Sequence, residues 1–120
     1  MNLFKLLKAI SDENRLRILN LLRVKELCVC EIESVLGMTQ SNVSRHLIKL
    51  KDAEIIESEK NGQFVFYRIN PEMEAVFPFL KSLIDQELIK IKKLQIDSAK
   101  LNELEGNNGL LCMRESCQKD

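Results

Sequence analysis

The sequence has few residues that interrupt helices, since only four of its 120 residues are Gly and two are Pro. Few positions are therefore available for turns, and we expect helices to dominate. Apolar residues make up 45% and charged residues 30% of the chain, a balance typical of a soluble globular protein. The length fits a single domain, which argues against an enzyme with a cleft between two domains.

The chain also carries no formal net charge, because 18 Lys and Arg residues balance 18 Asp and Glu residues. A surface for nucleic acid would therefore have to come from local clustering of cations. Residues 39–51 contain such a cluster, with Arg45, Lys49 and Lys51 and no acidic residue. This segment is the basic patch that the overall composition conceals.

Signals for export and for membrane insertion are absent. The first residues, MNLFKLLKAISDENR, lack a long apolar stretch and a small-residue cleavage site. No segment approaches the roughly 20 apolar residues that span a bilayer. We therefore expect a cytoplasmic protein, whose four cysteines are kept as thiols for metal binding or redox chemistry.

Catalytic motifs are missing as well. The chain has no Gly-rich phosphate loop, and no set of His with Asp or Asn accompanies a cysteine, so we expect no enzymatic activity. His46 is the only histidine, which argues against a site for Zn, Ni or Co that is rich in imidazole. For His46 itself, packing or a phosphate contact is favoured over metal ligation.

Apolar spacing predicts four helices in the first half of the chain. We expect Ser11 and Thr39 to cap the second and fourth of these helices, and Gly37 to end the third in a left-handed conformation. The predicted helices cover residues 3–10, 12–23, 30–36 and 41–53, and the first places Leu3, Leu6, Leu7 and Ile10 on one face. The fourth is expected to bury Val43, Leu47, Ile48 and Leu50.

The third and fourth helices, with the turn at Gly37 between them, form a helix-turn-helix pattern. In this motif the second helix enters the major groove of DNA, where Gln and Asn side chains can pair with adenine and Arg with guanine. The candidate base contacts are Gln40, Ser41, Asn42, Ser44 and Arg45, and the candidate phosphate contacts on the same helix are His46 and Lys49. The alternative is a helical hairpin in a protein-interaction module that does not bind DNA.

Two β-rich segments follow, IIESEK at residues 55–60 and QFVFYRI at residues 63–69. Asn61 and Gly62 between them predict a two-residue hairpin turn, and hence a two-stranded wing. Lys60 and Arg68 flank the hairpin and could reach DNA phosphates. Glu57 and Glu59 oppose phosphate binding, so a mainly structural wing remains an alternative.

A long terminal helix is predicted to begin at Asn70 and Pro71 and to kink early at Pro78. Its seam advances in steps of three and four residues through Phe77, Leu80, Ile84, Glu87, Ile91, Leu94, Ser98 and Leu101. A seam of this length is expected to pair with the first helix and with a second subunit. The predicted fold is therefore mainly α with a small β-hairpin, over residues 1–105, followed by a weakly ordered tail at residues 106–120.

Cys28 and Cys30 form a C-x-C motif at the predicted start of the third helix. In a regular helix, residues two apart point about 200° away from each other, so both sulfurs can reach one ion only where the helix has not begun or has unwound. Further thiolates would have to come from Cys112 or Cys117. Three sulfurs would suit a trivalent metalloid, and four would suit Cd²⁺, Pb²⁺ or Zn²⁺. Alternatively, Cys28 and Cys30 are buried as small apolar side chains, or form a redox switch with the tail cysteines.

Three segments, AISDENRLRIL, ELCVCEI and TQSNVSRHLIKLKDAEIIESEKNGQFVFYRI, resemble the ArsR/SmtB family of bacterial winged-helix repressors, over roughly residues 4–95. The resemblance implies a homodimer that binds operator DNA and releases it when an inducer binds. ELCVCEI is similar to the metal box of the arsenic- and cadmium-responsive branches. By this resemblance, Cys28 and Cys30 would be thiolate ligands.

The sequence departs from the arsenic-responsive pattern at one position. Those members often have a third cysteine three places after the second, where this chain has Glu33, so the resemblance leaves Cys112 or Cys117 of either subunit as the next ligand. Cadmium-type members use cysteines of an N-terminal arm, and this chain has none before Cys28. As(III) or Sb(III) is therefore expected as inducer ahead of Cd(II) or Pb(II), with no organic cofactor. A thiol redox or persulfide sensor is the remaining alternative.

Overall fold

A computed structural model of the chain describes residues 1–106, and these form helices around a single antiparallel hairpin. The elements are α1 Leu3–Ala9, α2 Glu13–Val24, α3 Val29–Leu36, α4 Gln40–Asp52, β1 Ile56–Asn61, β2 Phe64–Ile69, α5 Pro71–Val76, α6 Pro78–Ser82 and α7 Lys92–Gly106. Between α6 and α7 the chain forms a π-helical turn, Leu83–Glu87, and a 3₁₀ turn, Leu88–Lys90. The predicted fold class is confirmed. None of the described helices is long and apolar enough to cross a membrane.

The turn between α3 and α4 follows the local signals in the sequence. Gly37 ends α3 with a φ of 67°, a left-handed conformation that glycine adopts without steric cost. Thr39 caps α4, where its side-chain oxygen accepts a hydrogen bond from the backbone N–H of Asn42 at 3.3 Å. Both predictions are confirmed. The conformation of Gly37 and the cap at Thr39 set the direction in which α4 leaves the turn.

The N-cap of α2 is Asp12, and the prediction of Ser11 is wrong by one residue. Asp12 accepts a hydrogen bond from the backbone N–H of Arg15 at 3.1 Å, and its negative charge suits a helix N-terminus. The hydroxyl of Ser11 donates instead to the carbonyl of Lys8 at 2.8 Å, at the end of α1. Ser11 therefore belongs to the turn between the two helices.

The helix α4 buries a narrower stripe than its sequence suggests. Val43, Leu47 and Leu50 are buried in the main core, as predicted, whereas Ile48 is 59% exposed. The first three residues recur at spacings of four and three and so share one face, while Ile48 follows Leu47 by about 100° around the helix. The prediction that Ile48 points into the core is therefore wrong, and this side chain joins the outer surface of α4.

The hairpin is in a register that pairs Ile56 with Ile69 and Asn61 with Phe64. This pairing leaves Gly62 and Gln63 as the two-residue loop, one position later than predicted. Gly62, at a φ of 67°, supplies the left-handed conformation that the turn needs.

The C-terminal part is less continuous than predicted. Asn70 caps α5 and Pro71 occupies its first turn, as expected, but Pro78 starts a new helix instead of kinking a continuous one. The backbone is also extended at Ile91, with a ψ of 120° between the 3₁₀ turn and α7. Proline lacks the N–H needed to continue α5, which explains the first interruption.

The predicted seam is therefore divided between the protomer's own core and its surface. Four members are buried in the main core: Leu80, Ile84, Leu94 and Leu101. Glu87 and Ile91 are exposed, so a continuous seam for a second subunit is not formed. The large exposed apolar side chains of this part are Val76, Phe79, Ile89, Ile91 and Ile96. On α1, Leu6 is buried while Leu3, Phe4 and Leu7 are exposed.

A buried polar cluster fastens α7 to α2. The guanidinium of Arg17 donates two hydrogen bonds to the carboxylate of Asp97, at 2.8 and 3.0 Å. The amide of Asn20 donates to the carbonyl of Leu94 at 3.0 Å and to the hydroxyl of Ser98 at 2.9 Å. Bidentate geometry and burial make the Arg17–Asp97 pair more specific than the exposed ion pairs on the surface.

His46 packs on the inner side of α4 and is only 5% exposed. Its Nδ1 lies 3.5 Å from Nη1 of Arg15, which in turn lies 4.0 Å from a carboxylate oxygen of Asp12. Because Arg15 can only donate, this contact requires a neutral imidazole that accepts. Burial lowers the pKa of His46, the charge of Asp12 raises it, and the charges of Arg15 and Arg45 lower it further. Of the two roles expected for His46, packing or a phosphate contact, the structure thus shows packing, because the ring lies between helices.

We expect the substitution Asp97→Ala to reduce the free energy of unfolding by about 3 kcal/mol, because it leaves the largely buried charge of Arg17 without its carboxylate partner. Asp85→Ala is the matched control, since it removes an exposed i,i+4 pair with Lys81 and should cost less than about 0.5 kcal/mol. Urea denaturation of both variants measures the difference. Equal losses would contradict a specific role of Asp97.

We also expect stability to fall as the pH drops below about 6.5, the ordinary pKa of histidine. The pKa of His46 is lower in the folded state, so the unfolded chain takes up its proton first and is favoured as the pH falls toward the folded-state pKa. His46 is the only histidine, so His46→Gln should remove this decline. The measurement is urea denaturation at pH 7.5 and 5.5, and an unchanged decline in the variant would contradict the assignment.

Candidate nucleic-acid interface and thiol site

The outer surface of α4 carries the polar residues that the sequence singled out. Gln40, Ser41, Asn42 and Arg45 are exposed and Ser44 is half-buried. Nη2 of Arg45 donates to Oδ1 of Asn42 at 3.0 Å, so these two side chains lie together on the first turns of the helix. Ile48 extends the same surface as an apolar residue, which sequence reasoning missed because it assigned this residue to the core. Such a side chain can contact the methyl group of thymine.

The cations of α4 differ in their surroundings. Lys49 is exposed and forms no ion pair within residues 1–106. Nζ of Lys51 donates to the hydroxyl of Ser58 at 2.7 Å, which ties the end of α4 to β1. Lys49 is therefore the cation of this helix that is best placed to meet a phosphate.

Of the two predicted phosphate contacts in the wing, Arg68 is ion-paired and Lys60 is exposed. Arg68 lies 2.8 Å from carboxylate oxygens of both Glu57 and Glu59 and 3.8 Å from Glu26. The hydrogen bonds to Glu59 and Glu57 raise the pKa of Arg68 further. Three acidic groups thus offset the charge of Arg68, whereas Lys60 is exposed near the tip of the hairpin. Between the two predicted phosphate contacts of the wing, the electrostatics favour Lys60.

Cys28 and Cys30 lie on either side of the start of α3. Cys28 is the N-cap, with an extended ψ of 170°, and Cys30 is the second residue of the helix. Because Cys28 precedes the regular helix, helical geometry does not force the two sulfurs onto opposite faces. This meets the condition under which both sulfurs of a C-x-C motif could reach one ion. Both cysteines pack against Phe64 and Phe66 of β2, and Cys28 is only 3% exposed.

The local environment favours the protonated form of the Cys28 thiol. Burial raises its pKa to about 11, and the charge of Glu31 raises it, while the backbone N–H groups of Glu31 and Cys30 lower it. Glu31 is fully buried, and its carboxylate accepts a hydrogen bond from the backbone N–H of Cys28 at 3.0 Å. This capping box stabilises the first turn of α3.

The thiol site adjoins both the wing and α4. A cavity of about 160 Å³ is lined by Cys28 and Cys30, by Phe64 and Tyr67 of β2, and by Gln40, the first residue of α4. Leu27, directly before Cys28, exchanges two backbone hydrogen bonds with Tyr67, at 3.1 and 2.9 Å. A conformational change at the cysteines would therefore occur next to the wing and α4, the two surfaces that could contact DNA.

Cys28 is a thiol and Cys30 is disulfide-bonded in this structure, so the described residues supply two sulfurs to this site only when Cys30 is reduced. Within residues 1–106, no group of three or more His, Cys, Asp or Glu side chains could hold a metal ion. Cys112 and Cys117, the predicted further ligands, lie outside the described residues. Their participation stays a prediction, as does the boundary between domain and tail.

Comparison with known proteins identifies the family. Residues 12–58 match the family described as bacterial regulatory protein, arsR family. The chain is 40% identical over 80 residues to the arsenic resistance transcriptional regulator ArsR1 of Pseudomonas putida, a match that covers 65% of this chain and 62% of that protein. It is 41% identical over 63 residues to the cadmium resistance transcriptional regulatory protein CadC of Listeria innocua, with 52% and 53% covered. The matches thus span less than two-thirds of these two relatives.

Solved structures give the same result for the fold. HlyU from Vibrio cholerae is 38% identical, with a TM-score of 0.58 and with 69% of this chain and 91% of that chain covered. The homodimeric winged helix-turn-helix DNA-binding domain of Mb0332 from Mycobacterium bovis is 28% identical, with a TM-score of 0.59 and coverages of 74% and 83%. The fold is therefore a winged helix-turn-helix, and the chain belongs to the arsR family of bacterial regulatory proteins.

Proposed function

We propose that the protein is a homodimeric repressor that binds operator DNA and releases it when arsenite or antimonite binds Cys28 and Cys30. The observation that carries this proposal is the position of the two cysteines at the start of α3, between the wing and the first residue of α4. The cytoplasm is the compartment that suits this function, because it keeps the cysteines reduced.

The surface of α4 supports binding to the major groove. Its exposed amide, hydroxyl and guanidinium groups can pair with base edges, and Arg45 is the side chain best suited to guanine. The exposed Lys49 and Lys60 would contact phosphates, which position a protein without reading sequence. Arg68, offset by its acidic neighbours, would contribute little.

Exposed apolar side chains at both ends of the described chain support a dimer. Phe4 on α1 is 75% exposed, and Phe79 and Ile96 are exposed in the C-terminal part. Large exposed apolar groups of this kind are typical of subunit interfaces. The Mycobacterium bovis relative is described as homodimeric, and a dimer would present two copies of α4 to a pseudo-palindromic operator.

The start of α3 supports release by a thiophilic ion. Arsenite has three exchangeable hydroxyl groups, and each thiol that binds replaces one of them as water. To bind one ion together with Cys30, Cys28 would turn from its N-cap position, where its backbone N–H is bonded to Glu31. The resulting strain would act on the Leu27–Tyr67 bridge and on the turn that leads into α4. A coupling of about 1 to 3 kcal/mol is typical of such effectors.

Arg45→Ala is expected to relax sequence specificity, because it removes the candidate contact to guanine. We expect a loss of about 1 to 3 kcal/mol on the specific operator and little change on random DNA. The measurement is a gel-shift titration on both duplexes, with an operator selected from a random library by the wild-type protein. Lys49→Ala is the control, since it should weaken both complexes similarly. Equal losses for Arg45→Ala on both duplexes would argue against base reading.

Cys28→Ser is expected to bind the operator as the wild type does but to resist release by arsenite, because an alcohol does not replace the thiolate. The gel-shift is titrated separately with arsenite, antimonite, Cd²⁺, Pb²⁺, Zn²⁺ and peroxide under defined reducing conditions. Release of the wild type by Cd²⁺ or Pb²⁺ alone would favour the cadmium-type alternative, and release by peroxide alone would favour a redox sensor. Release of Cys28→Ser by arsenite would contradict the site.

A further inference from the structure

We propose that Lys5 and Lys8 of α1, together with Lys49 of α4, form a phosphate-binding strip that contacts the DNA backbone between the two half-sites of the operator. The proposal rests on the proposed function, a homodimer that binds DNA. The strip would be a further DNA-contacting surface beside those of the helix-turn-helix and the wing. This surface comes from a helix that sequence analysis assigned only to packing.

The three lysines lie around one cleft between α1, α2 and α4. The cleft has a volume of about 230 Å³ and is lined by Lys5, Lys8, Ala9, Arg15, Lys49 and Asp52. Four of these six residues are cations and one is an acid, in a chain with no net charge. The cleft is therefore a local concentration of positive charge.

Lys5, Lys8 and Lys49 also differ in their partners from four other lysines of the fold. Lys25, Lys81, Lys90 and Lys93 each form an ion pair with a carboxylate. In the part of the chain that the structure describes, the ammonium groups of Lys5, Lys8 and Lys49 form none, although Asp52 lines the same cleft. All three side chains are exposed. Their charge is thus available to an anion from outside the protomer.

Hydrogen bonds hold α1 beside α4. Nε of Arg15 donates to the carbonyl of Ala9 at 2.6 Å, and Nη2 donates to the carbonyl of Lys8 at 3.4 Å. The same guanidinium contacts His46 of α4 at 3.5 Å. The end of α1 is therefore linked through Arg15 to the inner side of α4. This link keeps the backbone at Lys8 in a fixed position relative to α4.

The strip continues from the surface that would read DNA. Arg45 and Lys49 are four residues apart, so they are neighbours on one face of α4. Lys49 lies one turn beyond Arg45 and lines the cleft with the two lysines of α1. Because phosphates border the major groove, cations of the last turn of α4 and of the adjacent α1 are placed to meet the backbone rather than base edges.

The exposed apolar side of α1 indicates which phosphates of the DNA the three lysines would contact. Leu3, Phe4 and Leu7 are exposed and are candidates for contact with a second copy of the chain. Lys5 and Lys8, three residues apart, share a different face of the short helix. In a dimer formed through α1, the two pairs of lysines would lie near the two-fold axis, between the two copies of α4. The DNA segment facing them is the spacer between half-sites.

The test compares Lys5→Gln/Lys8→Gln with Lys92→Gln/Lys100→Gln, a control that removes two exposed lysines of α7. Operator affinity is measured by gel-shift at several salt concentrations, and circular dichroism confirms that both variants are folded. Each phosphate contact contributes about 0.9 to the slope of log K against log salt. With four lysines removed per dimer, we expect the slope to decrease by about 3 to 4, with the ratio of specific to random binding unchanged. The control should keep the wild-type slope.

A second measurement uses the wild-type protein and changes the DNA. Uncharged methylphosphonate linkages in the operator spacer should weaken wild-type binding but not that of Lys5→Gln/Lys8→Gln. The inference is overturned if the wild type binds both DNAs equally, or if the α1 variant keeps the slope of the control. An absence of salt-dependent binding of the wild type to any duplex would instead overturn the proposed function itself.

Discussion

The segment from Leu27 to Glu31 holds the wing and the start of α3 together. Two backbone hydrogen bonds join Leu27 to Tyr67 in the wing, and the buried carboxylate of Glu31 holds the backbone N–H of Cys28. Five residues thus connect the wing, the thiols and the start of α3, and α3 leads through a short turn to α4. Because packed elements of this kind shift as units, a local change at Cys28 can reach both surfaces that would meet DNA.

The distribution of charge explains how a neutral protein can present a surface for DNA. Many acidic side chains are paired within the fold, as in the Arg17–Asp97 pair and the carboxylates around Arg68. Lys5, Lys8 and Lys49 beside α4 lack such partners among residues 1–106. These three lysines line one cleft, where their charge would favour association with a polyanion.

The sequence was most informative where local chemistry determines the structure. Gly37 and Thr39 predict the turn of the helix-turn-helix because backbone conformation and capping depend on neighbouring residues. The C-x-C spacing similarly places Cys28 and Cys30 where a helix begins. Predictions that depend on tertiary packing were less successful. Periodicity could not show that Ile48 lies outside the core, that His46 lies between helices, or that the terminal seam is interrupted.

The strip formed by α1 and α4 could not be predicted from the sequence for the same reason. Lys5 and Lys8 are separated from Lys49 by some forty residues of sequence, and only the packing of α1 against α4 brings them to one cleft. On an isolated amphipathic helix, such lysines are usually a solvated polar face. Their interpretation changes only when their neighbours in space are known.

The most direct test of the central claim is amide hydrogen exchange at Leu27 and Tyr67, measured by NMR with and without bound arsenite. We expect slow exchange at both amides in the free protein and faster exchange in the arsenite-bound protein, because the bridge beside Cys28 is strained. We also expect faster exchange in the first turn of α3. Unchanged protection of both amides, in a loaded protein that has released its operator, would contradict the claim that the cysteines act through this segment.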